Sequence, residues 1–299
     1  GEQGRSLGPE LVPSNSAQRD STVPMSGTLY VVATPIGNLA DLTERAARVL
    51  GEVDLIAAEN SKTASTLLKH IGLRTSVVPY NDRNKARTTA RLLSSLAEGR
   101  DVALISDAGT PGISDPGQDL VREARTVDVT VVPVPGASAV ATLLSVAGSW
   151  GRTYRMIGFL PRKGGERRTA LERIAAVGEP TVLFESPHRI AKTLVDLEAV
   201  LPEARLVVGR ELTKLHEEIW TGGPAEAVEH FTSPRGEFAL LVIPLGKSDE
   251  AWTDEAVLAA LRGERASGLS HRDAATSVAA ESGRPRREVY ALWSRLGPV

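Results

Sequence analysis

The sequence contains no cysteine. That single absence removes disulfides, thiolate nucleophiles, Cys-ligated zinc and iron–sulfur clusters together. Aromatic residues are scarce, at 4%, which argues against a base-stacking platform of the kind single-strand binders use. Excess charge of one sign is missing too: the net charge is −2 and the pI near 6.3. No global basic field advertises nucleic acid, so any RNA contact has to come from local patches. No apolar run approaches the roughly 18 residues that cross a bilayer, which predicts no membrane association, and the absence of cysteine fits a cytoplasmic protein.

The familiar motifs are also absent. No G-x-G-x-x-G follows the first predicted strand, and no G-x-x-x-x-G-K-[ST] phosphate loop occurs. His216-Glu-Glu is not H-E-x-x-H, and the five histidines are scattered, so no metal is expected. Neither G-x-S-x-G nor S-x-x-K marks an organised nucleophile. Hydrolase, kinase and metalloenzyme readings all lose their support.

What is present is a globular composition, 41% hydrophobic and 24% charged over 299 residues, enough for two domains and a small appendage. Residues 1–24 are rich in Gly, Ser, Pro and charge, and read as a disordered leader or tag ahead of Met25. From Thr28 short apolar runs alternate with amphipathic stretches. Strands are predicted at 28–33, 53–59, 76–79, 101–106 and 129–134. The helices between them include one opened by a capping box at Asp41-Leu-Thr-Glu44 and an apolar one at 137–147. That rhythm predicts a mainly parallel sheet over residues 25–148. A break at Gly148 to Gly151 is the expected boundary. Residues 149–246 carry strands at 155–160, 181–186, 205–211, 217–222 and 237–244. Two of these lie too close for a crossover helix, so a mixed sheet is expected. Residues 247–299 form a helical extension whose last two helices resemble a helix-turn-helix. Its arginines Arg284, Arg286, Arg287 and Arg295 suit either nucleic-acid contact or a packing module with a solvated face.

The chemistry-bearing segment is Ser106-Asp-Ala-Gly-Thr-Pro-Gly-Ile-Ser-Asp-Pro-Gly117. It is too long and too rich in Gly and Pro for a simple connector between a buried strand and a helix. Loops at the carboxyl ends of strands form the ligand crevice of open α/β sheets. Thr34-Pro-Ile-Gly-Asn38 and Pro133-Val-Pro-Gly-Ala-Ser138 stand at corresponding strand ends, so the three are expected to share one rim.

These segments, with GFLPRKGGERR, ESPHRI, RELTKLHEE and GEFALLVI, run in order from about Gly27 to Gly246. Together they resemble the ribosomal RNA small subunit methyltransferase I family, of tetrapyrrole-methylase fold. The resemblance implies two α/β domains with a cleft between them, S-adenosylmethionine as cofactor and a homodimer. It further implies 2′-O-methylation of a cytidine ribose in the decoding centre of 16S rRNA, within the small ribosomal subunit. By position, cofactor contacts are expected from Pro35, Gly109, Thr110, Pro111, Ile113, Ser138, Ala139, Phe184 and Glu185. RNA contacts are expected from Arg162, Lys163, Arg167, Arg168, His188 and Arg189, where a basic loop opens a helix against its dipole. Glu59, Asp107, Lys163 and Glu185 stand as catalytic candidates for activating the hydroxyl. Where the family reads Ala-Glu-Asp-Thr-Arg, this chain has Ala58-Glu-Asn-Ser-Lys62. An acid becomes neutral and a forked guanidinium becomes an ammonium. The alternatives are a small-molecule tetrapyrrole (precorrin-type) methyltransferase, or an RNA-binding protein of this fold that no longer transfers methyl groups.

Overall fold

The computed structural model describes residues 26–148, 150–151, 153–244, 252–282 and 284–296. Residues 1–25, where a leader is expected, and residues 245–251 lie outside them. The described residues divide into two compact units, the first made of those up to Thr34 and of Leu42–Gly136, the second of Pro35–Asp41 and those from Ala137 onward.

In the first unit the strands are β1 (Leu29–Val32), β2 (Leu55–Ala58), β3 (Val77–Pro79), β4 (Val102–Ile105) and β5 (Val131–Val134). Helices α1 (Glu44–Glu52), α2 (Ser61–His70), α3 (Lys85–Ala97) and α4 (Gln118–Thr126) alternate with them. The sheet order is β3-β2-β4-β1-β5, every pair parallel. The central strands β2 and β4 are buried along their whole length, as parallel strands covered on both faces must be. One face packs on α1 and α2 through Val49, Leu50, Leu67 and Leu68, the other on α3 and α4 through Leu92, Leu96 and Leu120. Helix α1 starts two residues later than the capping box predicted. Thr43 is its N-cap, accepting from the Ala46 amide at 3.0 Å, while Asp41 ends a short 3₁₀ turn.

The second unit opens with α5 (Ala139–Val146) and continues with β6 (Arg155–Phe159), α6 (Gly164–Val177), β7 (Thr181–Glu185) and α7 (Ile190–Val200). Strands β8 (Arg205–Arg210) and β9 (Glu218–Gly222), α8 (Pro224–His230) and β10 (Phe238–Ile243) follow. The order is β6-β7-β10-β8-β9, with β6 and β7 parallel and the other pairs antiparallel. This is the mixed sheet the strand spacing predicts. The division between units falls at Gly136, ahead of the expected break at 148–151. The reason is packing: Val140 and Leu143 of α5 share a core with Val182, Val207 and Leu241, and Ile36 of the 35–41 segment joins it.

Helices α9 (Asp254–Ala266), α10 (His271–Ser282) and α11 (Arg286–Trp293) build a separate small core from Val257, Leu261, Ala274, Val278, Val289 and Leu292. Arg284 and Arg295 both bind Asp254, at 2.7 and 3.0 Å, so these two basic residues brace the module itself. No helix among the described residues is long and apolar enough to cross a membrane.

Candidate functional site

In the first unit β4, β1 and β5 are adjacent and parallel, so their carboxyl ends share one edge. The loop Ser106–Gly117 leaves that edge and folds back onto it. Thr34 and Gly109 exchange main-chain hydrogen bonds at 2.8 and 3.0 Å, and the Thr34 hydroxyl donates to the Ser106 carbonyl at 3.2 Å. Gly109 (φ 74) and Gly112 (φ 80) adopt the left-handed backbone that glycine enters freely. At Gly117 (φ 149) a Cβ would lie 2.9 Å from Leu104. The loop is therefore a shaped element, not slack chain. Within it Pro111 is buried, while Ile113 is 47% exposed.

Beside this loop stands a cavity of about 490 Å³ lined by Glu59, Asn60, Ser61, Asn81, Asp82, Arg83 and Asp107, with Pro79 and Pro116. Glu59 accepts from the Asp107 amide at 3.4 Å. Burial holds the Glu59 and Asp107 carboxyls above their ordinary values, with the Asp107 charge adding to the effect at Glu59. Asp115, on the same loop, is pushed up to about 6 by burial, then by the charges of Glu59 and Asp107. Asp115 carries the largest shift of the three and escaped the sequence reading. The repeated Ser-Asp pair, 106–107 and 114–115, was the signal available for it. Among the described residues no three potential ligands gather closely enough to hold a metal ion.

The departure at 58–62 has a local explanation. Asn60 is the N-cap of α2 and accepts from the Lys62 amide at 2.9 Å. Asn caps as well as Asp does, and a neutral cap spares this crowded region another negative charge. Lys62 itself is exposed.

In the second unit, Pro35 is buried in the turn that follows β1. Ser138 caps α5, accepting from the Ala141 amide at 3.4 Å, and Ala139 is the first helical residue. Phe184 meets Phe159 edge-on at 5.9 Å. Glu185 is 2% exposed and fully engaged. It accepts from the Ser186 amide at 2.9 Å and the Thr193 hydroxyl at 2.8 Å, and pairs with Arg189 at 3.3 Å. Arg189 also donates to the Leu160 and Pro161 carbonyls at 2.7 and 3.1 Å. Both residues are thus tied into the junction of β7, α7 and the start of the basic loop.

The basic loop itself divides in two. Arg162, Lys163 and Arg168 are exposed, with Lys163 and Arg168 touching Glu166 and Glu172 at the surface, and His188 is exposed as well. Arg167 points inward. It is 7% exposed and bound to Asp196 at 2.6 Å. The sequence pattern held the clue: Arg167, Leu171 and Ile174 follow the i, i+4, i+7 spacing of the buried stripe of α6.

Residues 28–228 match the family of Tetrapyrrole (Corrin/Porphyrin) Methylases. A protein named Ribosomal RNA small subunit methyltransferase I from Synechocystis sp. is 42% identical over 270 residues, covering 89% of this chain and 97% of its own length. One of the same name from Halalkalibacterium halodurans is 40% identical over 282 residues, 92% of this chain and 96% of its own. The chain belongs to the ribosomal RNA small subunit methyltransferase I family. Among solved structures, the methyltransferase CobJ aligns with a TM-score of 0.57 at 18% identity, over 73% of this chain and 94% of its own. That likeness shows the tetrapyrrole-methylase fold.

Membership makes the chain a methyltransferase with S-adenosylmethionine as methyl donor. The residues present fit that group. The amides of Thr110 and Gly112 find no acceptor among the described residues, and Ile113 offers an exposed apolar surface beside them. A ligand with both polar edges and an apolar body uses such a combination.

Proposed function

We propose that this methyltransferase modifies the 2′-hydroxyl of a cytidine ribose in the decoding centre of 16S rRNA, acting on the small ribosomal subunit in the cytoplasm. The observation that carries the reading is the near-complete coverage of relatives named for small-subunit rRNA methylation, at 42% and 40% identity. The small-molecule alternative is supported by likenesses such as those at 18% and 16% identity, which concern the fold.

When bound, S-adenosylmethionine supplies a methyl group made electrophilic by its sulfonium. The protein has then to bind, aim and keep water out. We assign donor contacts to Pro35, the Gly109–Ile113 backbone, the capped start of α5 at Ser138 and Ala139, and Phe184. The ribose hydroxyl is a weak acid, so a neighbouring acceptor for its proton accelerates attack. Of the four catalytic candidates, Glu59 and Asp107 border an open cavity and have raised proton affinity, whereas Glu185 is consumed by internal bonds. Glu59 and Asp107 are the proposed proton acceptors. Arg162, Lys163, Arg168 and His188 are the proposed RNA contacts. A homodimer belongs to the same proposal, and the exposed Tyr154, Ile157 and Phe159 of the β6 region supply apolar surface for it.

The test uses small subunits purified from a strain that lacks this modification, incubated with labelled S-adenosylmethionine and the protein. Nucleoside analysis should return 2′-O-methylcytidine. Label on a base, or on no nucleotide at all, refutes the assignment.

A further inference from the structure

The motif Arg210-Glu-Leu-Thr-Lys-Leu-His-Glu-Glu218 contributes none of the proposed donor, proton-acceptor or RNA contacts. It links β8 to β9, and two of its non-glycine residues sit in the left-handed region, Glu211 at φ 50 and Thr213 at φ 68. A β-branched residue there is an outlier that surrounding structure has to enforce. The enforcement is visible. The Lys214 ammonium donates to Glu211 at 2.8 Å and to Glu237 at 3.0 Å. Glu211 also accepts from the Glu237 amide at 2.9 Å, and the Thr213 amide donates to Glu217. Gly236 (φ 84) leaves the space that the Glu211 side chain fills. Burial opposes the charge on both Glu211 and Lys214, but their bonds outweigh it, leaving Glu211 below its ordinary value and Lys214 above.

The braced loop presses on the turn that follows β1. A Cβ added to Gly37 would lie 2.5 Å from Lys214 Cγ, 2.9 Å from Thr213 Oγ1 and 3.0 Å from the Leu212 carbonyl. Gly37 needs no left-handed backbone, so space alone calls for glycine here. The Thr213 hydroxyl is buried in this contact without a hydrogen-bond partner. The loop therefore accepts strain and an unsatisfied hydroxyl in order to meet the turn.

We propose that Lys214 is a positioning residue: braced by Glu211 and Glu237, it holds the strained Glu211–Lys214 loop against Gly37 and so fixes the Pro35–Asn38 turn in the shape that receives the methyl donor. Lys214 acts through the turn and does not touch the reacting atoms. The inference rests on the proposed contact between Pro35 and the donor.

The experiment measures S-adenosylmethionine binding by calorimetry, steady-state kinetics and thermal unfolding on the full-length protein. Lys214→Met keeps the stem and removes both ion pairs; Gly37→Ala keeps the braces and displaces the turn. Each is expected to weaken donor binding and raise the donor KM about tenfold, with kcat at saturating donor within about twofold of the parent. Lys214→Arg, which keeps the charge, should restore binding. The double variant should be weaker than either single one by less than their product, because both act on one turn. Unchanged donor affinity in both single variants overturns the inference, as does a lowered melting temperature and kcat with no donor-specific loss. Failure of the parent protein to bind S-adenosylmethionine overturns the functional reading instead.

Discussion

Asp115 shows how a residue acquires chemistry its own type does not give it. Its carboxyl stands at about 6 because burial comes first and the charges of Glu59 and Asp107 add to it. A folded-state value raised above the unfolded one contributes stability at low pH that is lost as pH climbs through the folded value. The window here runs from about pH 4 to about pH 6. Asp115→Asn removes the liability, so unfolding stability at pH 7.5 should rise by on the order of 1 kcal/mol, after discounting for solvent screening of a partly exposed group, and change little at pH 4. Denaturant melts at the two pH values decide it; a gain at pH 4 as large as that at pH 7.5 contradicts the assignment. Arg167 offers the complementary case. Its guanidinium is bound inside by Asp196, and Arg167→Met should cost about 1–3 kcal/mol of stability, since Asp196 is left partly buried and unpaired. RNA affinity should stay at the parent level, and a gel-shift titration showing a loss comparable to that of Lys163→Ala would return Arg167 to the RNA surface. Neither environment could be read from neighbours in sequence. Asp115 depends on Glu59 from another strand end, and Arg167 on Asp196 from another helix, although the helical period of Arg167 was visible.

At the scale of elements, the alternation of apolar runs with amphipathic stretches was enough to place every strand of both sheets and to foresee parallel pairing in one and mixed pairing in the other. The period of a strand and the caps of a helix are written locally. The position of α5 was not legible, because its apolar face says that it packs and not on which sheet. Val140 and Leu143 found the second unit's sheet, which moved the division of the chain to Gly136. The loop Ser106–Gly117 was legible for the opposite reason: glycines and prolines at fixed offsets encode backbone shape directly. That gives a sharp expectation for Gly109→Val. A β-branched residue at φ 74 would have to break the paired bonds to Thr34 or accept a strongly disfavoured conformation. Calorimetry should find no S-adenosylmethionine binding, while circular dichroism keeps the parent spectrum. Donor binding at parent affinity would show that the shape of this loop is irrelevant to the site.

For the molecule as a whole, the decisive number is the net charge of −2. A protein with no general positive field can hold RNA only through local clusters of cations exposed on its surface. Arg162, Lys163 and Arg168 are exposed at the start of α6, and three phosphate contacts to flexible RNA release about two counterions, since each contact contributes roughly 0.7 to the salt slope. The logarithm of the RNA association constant should therefore fall against the logarithm of salt concentration with a slope near −2. Lys163→Ala should reduce that slope by about 0.7 and weaken all RNA sequences alike. The measurement also discriminates between surfaces. Arg286 and Arg287 on the C-terminal module are exposed, and if they engage RNA as well, the slope steepens beyond −3 and Lys163→Ala removes only a small share of it. A slope insensitive to Lys163 leaves the basic loop without a role in RNA binding, and the cationic surface has then to be sought on α10 and α11.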